Sequence, residues 1–198
     1  MHFLARAFTA RGIHFASIGY PLAPGAGLGK IVEDCRSATL WLYRQAERRH
    51  IDRARVSVLG HSAAGQLCTM VAAADWPALA PGLPAQILHR VIGASGFYDI
   101  EPFALTHFHD FTRFAPEDYR AWNPLRHVTP RLPAMSLLTG AAESSLLQQM
   151  MEHYARAVME AGVPVETHAT AGECHFSVLH QIGRPASPLF QRVLAAIQ

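Results

Sequence analysis

The sequence predicts an α/β fold, a mostly parallel sheet with helices on both faces. Three observations lead there. Short apolar runs of strand length alternate with longer segments of helical period along the chain, the pattern of repeated βα units. Most of the strand-like runs are rich in Val, Ile and Leu, as expected where both faces of a sheet are covered. The chain has 198 residues, 50% hydrophobic and only 16% charged, a globular composition with enough length to bury a core. We expect residues 1–198 to form one domain.

The opening "MHFLARAFTARG" is basic and lacks acids, which also suits a transit peptide. However, Phe3, Leu4, Ala7 and Phe8 share one helical face, Gly12 closes it and strand-like text follows at once, so a core-packing helix is the better reading. "IHFASIGY" (13–20) reads as the first strand and "PLAPGAGLG" as a loop. Ile31, Cys35, Ala38 and Leu42 mark a helix over about 30–49. "RVSVLG" is the second strand, and a helix runs from Ser62 to about Ala74. "RVIGASG" and "AMSLLTG" are the third and fourth strands. Leu147, Met150, Met151, Tyr154 and Val158 mark the helix that follows. "VPVETHAT" is the fifth strand and "SPLFQRVLAAI" the last helix. Residues 97–131 are too long for an ordinary connection and rich in His and aromatic residues. Such connections usually serve a site, and we expect a cap-like cover. Phe97, Phe108 and Phe111 are its candidate substrate contacts, unless they only bury the loop against the core.

A net charge of +2, with sixteen dispersed arginines and the single lysine Lys30, gives no reason to expect nucleic acid or an anionic membrane as partner. No apolar run approaches the roughly 20 residues that span a bilayer. The three cysteines are odd in number and far apart, without disulfide or metal spacing, which points to a reducing cytoplasm. Cys35 and Cys68 fall in helices as packing residues, and Cys174 reads the same way. "PGAGLGK" lacks the Ser or Thr that a phosphate loop places after its Lys.

The chemistry-bearing stretch is "RVSVLGHSAAGQL". Gly-x-Ser-x-Gly between a strand and a helix puts a serine on a strained turn with its oxygen exposed. Here Gly60 stands two before Ser62 and Ala64 two after it, with Gly65 next. A lone Ser in that place could equally be a helix cap, so partners matter. His175 in "GECHFSVL" follows the last strand, where a general base belongs in Ser-acid-His order. Glu143 follows "LLTG" at the end of the preceding strand, where an acid would orient the imidazole. Asp99 holds a similar place one strand earlier and stays an alternative to Glu143. Glu173 is too near His175 in sequence to pair with it easily. "THFHDF" sets His107, His109 and Asp110 at metal-like spacing, but no partner motif supplies the remaining ligands. We expect no metal there.

Six segments, in order, resemble one group. "YPLAP", "GHSAAGQL", "GFYDIEPF", "WNPLRHV", "GAAESSLLQQM" and "HFSVL" are similar to segments of the α/β-hydrolases of the kynurenine formamidase and small carboxylesterase group. The resemblance implies an α/β-hydrolase-type fold, with Ser62 as nucleophile, His175 as base, Glu143 as acid and the Ala63 N–H as one oxyanion donor. It implies hydrolysis of a small-molecule ester or aryl formamide through an acyl-enzyme, with no metal or organic cofactor. A homodimer is the assembly to test. Two departures stand out. Ala64 replaces the group's Gly, and its His-Gly-Gly-x-Trp segment, source of the second oxyanion donor, does not occur. With five strands recognisable of the full fold's eight, we expect the chain to lack the N-terminal portion of a larger domain and to be weakly active alone. The rival expectation is a non-catalytic remnant, or a mis-started reading frame, acting as a binding domain.

Overall fold

The sheet forms because each inner strand offers apolar side chains to both sides, one residue in two. A computed structural model describes residues 2–198. In order along the chain lie α1 (His2–Thr9), α2 (Leu28–Gln45), β1 (Ser57–His61), α3 (Ala63–Ala72), α4 (Trp76–Leu79), β2 (Arg90–Ala94), α5 (Phe108–Thr112), α6 (Pro116–Ala121), β3 (Ala134–Gly140), α7 (Ser145–Glu160), β4 (Val165–Thr170), α8 (Ser177–Ile182) and α9 (Pro188–Ile197). Among the described residues the strands form one sheet in the order β1-β2-β3-β4, and every neighbouring pair is parallel. Register aligns His61 with Ala94 and Ala94 with Leu138, so β1, β2 and β3 end nearly level.

Alternation divides the interior in two. Val91, Met135 and Leu137 face a core with Ile31 and Val32 of α2, Met70 and Val71 of α3, and Tyr154 and Val158 of α7. Ile92, Ala94 and Leu138 face the other way, onto Leu4 and Phe8 of α1, Ile182 of α8 and Phe190 and Val193 of α9. Each large side chain so buried contributes roughly 1.5–3 kcal/mol. The Phe8 and Phe190 rings meet at 5.2 Å, which fastens the first helix to the last. The Ser187 hydroxyl accepts the Leu189 N–H and starts α9, with Pro188 following it, an N-terminal signal that the sequence carries plainly.

Two expectations need correction. Residues 13–20 form no strand, so the sheet has four strands rather than five. Most of this segment is exposed, and no described strand lies beside it to complete a ladder, so β-branched and aromatic text alone does not make a strand. The last strand, β4, lies at an edge of the sheet and is half exposed, with Glu166, Thr167 and Ala169 toward solvent. A charged residue there is how edges commonly avoid further pairing. Cys35 and Cys68 are buried, whereas Cys174 is exposed and does not pack as expected.

The 97–131 connection folds into short helical turns. Its ends are tied together where Asn123 Nδ2 donates to Asp99 Oδ1 at 2.8 Å and Arg126 pairs with Glu101. Phe103 and Tyr119 anchor it in the core. No helix among the described residues is long and apolar enough to cross a membrane.

Candidate active site

β1 turns abruptly into α3 at Ser62, which has φ 59° and ψ −126°. A non-glycine residue in so sparse a region costs on the order of 1–3 kcal/mol and persists only where its surroundings enforce it. The enforcement is visible. The Ser62 N–H donates to the Ala94 carbonyl at 2.9 Å, and the Gly65 N–H donates to the Ser62 carbonyl at 2.8 Å. A methyl on Gly60 would lie 2.1 Å from the Ala64 carbonyl oxygen, and one on Gly65 would lie 2.6 Å from Gly96 Cα. The tight position after the serine is thus Gly65, at the crossing of α3 over the tip of β2. Ala64, one residue earlier, is only half-buried, and its methyl is accommodated there.

The Ser62 side chain makes no capping hydrogen bond. Its Oγ instead lies 3.0 Å from His175 Nε2. His175 arrives on the turn that leaves β4, where Gly172 takes φ 75°. This turn presses on the end of β3, since a methyl on Gly140 would meet the Glu173 carbonyl oxygen at 2.2 Å. His175 Nδ1 lies 3.1 Å from Glu143 Oε2, and the Glu143 side chain is fully shielded from solvent. Its second oxygen, Oε1, accepts the Gly140 N–H at 2.7 Å and the Ser95 hydroxyl. An ionised carboxylate only accepts, so Nδ1 carries the proton and a neutral imidazole presents a bare Nε2 to the Ser62 hydroxyl.

Burial alone would raise the Glu143 carboxyl, but the Ser95 hydroxyl, the Gly140 N–H and His175 outweigh it and hold it below its usual 4.5. Such a group favours the folded state whenever it is ionised, and that contribution disappears as pH falls through its lowered value. Urea unfolding of wild type and Glu143→Gln should therefore differ by a constant amount above about pH 5 and converge at lower pH.

His61, next to the serine, donates from Nε2 to the His175 carbonyl at 2.6 Å, since a carbonyl can only accept. Burial pushes its imidazole below the ordinary range, consistent with a neutral donor. The bond ties the histidine turn to the elbow. Around it, the Phe97 ring lies parallel to His175 at 6.4 Å, and Phe108 meets Phe97 edge-on at 5.9 Å. Phe111 is 71% exposed at the outer end of this aromatic row, against His107. Phe176 contacts His175 edge-on at 5.2 Å.

The structure thus brings Ser62, His175 and Glu143 into one chain of contacts and places Phe97 beside it. Asp99 is engaged by Asn123 and makes no hydrogen bond to His175. Ala63 opens α3 and is exposed, and a first-turn N–H has no acceptor within its own helix. Among the described residues no group of three or more metal-ligating side chains converges. Sequence reading passed over His61, Ser95 and Phe176. His61 stood inside the serine motif, and Phe176 beside the histidine. Ser95 was marked only by its place at a strand tip.

A family model described as alpha/beta hydrolase fold matches residues 2–179. The chain is 24% identical to a kynurenine formamidase of Danio rerio, over 91% of this chain and 61% of that protein. It is 30% identical to an ethyl acetate hydrolase of Pseudomonas putida, over 83% of this chain and 56% of that protein. It therefore spans less than two thirds of the length of these curated relatives. Among solved structures it is similar to a thermostable carboxylesterase cloned from a metagenomic library, with TM-score 0.76 and 19% identity over 99% of this chain and 71% of that one. A carboxylesterase from Lactobacillus plantarum gives TM-score 0.73 and 20% identity over 98% of this chain and 73% of that one. At such identities these two likenesses concern the fold.

Proposed function

We propose, from the premise that this chain belongs to the alpha/beta hydrolase fold family, that it is a serine hydrolase acting on a carboxylic ester or an aryl formamide. The observation that carries this reading is the run of contacts from Ser62 Oγ to His175 Nε2 and from His175 Nδ1 to Glu143. The curated relatives, a formamidase and an ethyl acetate hydrolase, support the choice of bond.

In this reading Ser62 Oγ attacks the carbonyl carbon while His175 Nε2 takes the hydroxyl proton. The Ala63 N–H faces the developing oxyanion at the positive end of α3. Collapse of the tetrahedral intermediate breaks the bond to the leaving oxygen or nitrogen, which leaves with the proton from Nε2. Water then attacks the acyl-enzyme, His175 again takes a proton and returns it to Ser62 Oγ, and the acid is released. Glu143 stays ionised throughout and holds the Nδ1 proton. Residues 97–131 serve as the cover of a single domain, with Phe97 and Phe108 against the apolar part of the substrate. Flat rings favour aromatic groups at such separations, which suits an aryl ester or aryl formamide.

The test is covalent labelling by a fluorophosphonate probe followed by peptide mapping. The adduct should lie on Ser62, and labelling should survive Asp99→Ala but slow sharply in Glu143→Ala. An adduct elsewhere overturns the reading, no adduct at all favours a binding role, and damage by Asp99→Ala alone reverses the choice of acid.

A further inference from the structure

Ser95 sits at the tip of β2 as Ser62 sits at the tip of β1. The two backbones repeat one arrangement: the Ser62 N–H donates to the Ala94 carbonyl, and the Ser95 N–H donates to the Leu138 carbonyl at 2.7 Å. Both serines have positive φ, 59° and 49°. Their surroundings differ. Ser95 is 3% exposed, so no substrate reaches its oxygen, and that hydroxyl donates to Glu143 Oε1.

We propose that Ser95 is a positioning residue for the acid, holding and orienting the Glu143 carboxylate so that Oε2 is presented to His175. The proposal rests on the serine-hydrolase reading above. A shielded carboxylate has about four acceptor sites to satisfy, and each one left empty is costly. Here Oε1 takes two donors, the Gly140 N–H and the Ser95 hydroxyl, while Oε2 faces His175 Nδ1. Two donors on one oxygen, from the tips of β2 and β3, fix the plane of the carboxylate. Without the Ser95 hydroxyl, Oε1 would keep only the Gly140 N–H, and the orientation of the carboxylate would rest on that bond and on His175 itself.

The backbone argues for the hydroxyl too. At φ 49° glycine would be free of the cost that serine bears, so the hydroxyl is what distinguishes serine from the cheaper residue. Its one hydrogen-bond partner among the described residues is Glu143. Chain topology makes the contact unforeseeable locally, since the two residues are 48 apart in sequence.

Ser95→Gly separates positioning from scaffolding, because it deletes the hydroxyl while relieving the backbone. Its thermal midpoint at neutral pH should stay within a few degrees of wild type, because relief of the backbone offsets the lost donor to Glu143. Its fluorophosphonate labelling rate should fall roughly 10- to 100-fold, as for loss of a hydrogen bond to a charged group. The Glu143 carboxyl, followed by 13C NMR, should titrate at higher pH than in wild type, since burial is then less opposed. In a Glu143→Gln background the same substitution should change the labelling rate less than about twofold, as residues acting as one unit do. Ser95→Ala, which keeps the Cβ, should reproduce the slower labelling and the Glu143 shift. Unchanged labelling and an unchanged Glu143 titration in both variants overturn the proposal, as does a lowered midpoint with the titration unmoved. Labelling that persists in Ser62→Ala defeats the serine-hydrolase reading instead, and the Glu143 titration then still decides whether Ser95 holds the carboxylate.

Discussion

Ser62→Ala should lower hydrolysis of a short-chain aryl ester by on the order of 10⁴-fold or more, the scale seen when a catalytic serine is removed. The reasoning is local. The Ser62 hydroxyl lies 3.0 Å from His175 Nε2, whereas the neighbouring His61 is engaged with the His175 carbonyl. Stability should hardly change, because the Ser62 side chain caps nothing and its backbone bonds to Ala94 and Gly65 remain. Alanine bears the same positive φ as serine. Steady-state kinetics beside a thermal melt distinguishes this from a fold defect. Activity within tenfold of wild type in a well-folded variant would remove Ser62 from the chemistry.

Glu143→Gln should be nearly as damaging, with a loss of about 10⁴-fold. The amide keeps the shape of the carboxylate but pairs its acceptor with a donor. Oε1 faces two donors, Gly140 N–H and Ser95 Oγ–H, so the amide oxygen settles there and the NH₂ turns to His175. Nδ1 must then accept, the proton moves to Nε2, and the base is presented to Ser62 with its lone pair already occupied. His175→Ala should lose more still, since the acid only orients and stabilises. A loss under tenfold for Glu143→Gln, with the fold intact, would show that the tautomer is set elsewhere. His61, which holds the backbone of the same residue, would be the place to look.

The serine corner was legible because its constraints are local. A strand, a glycine whose methyl would strike the next turn, and a helix opening at Ala63 all lie within a few residues. His175 and Glu143 were legible as positions, each in the turn after a strand, and parallel strands deliver such turns to one end of the sheet. Other features depend on what lies alongside and could not be read. Residues 13–20 have strand-like text and no ladder. β4 has its edge position decided by sheet order rather than by its own residues. Ser95 acquires its partner only when β3 lies against β2. The departure at Ala64 proves harmless because the close approach falls one residue later, where a methyl on Gly65 would meet Gly96 Cα at 2.6 Å, a contact that motif spacing does not encode.

The strand order has a consequence for how the molecule is made. Ser62 and His175 are 113 residues apart; Ser62 follows β1 and His175 follows β4, and the strands pair strictly in sequence with parallel crossovers. Parallel pairing defers its reward until each loop is closed, so such topologies fold slowly. The contact between the hydroxyl and the imidazole therefore depends on all three ladders being in place. A refolding chain can regain its helices, and even the strained turn at Ser62, while still lacking the contact. On refolding, the return of fluorophosphonate labelling should therefore lag the circular-dichroism signal of the helices.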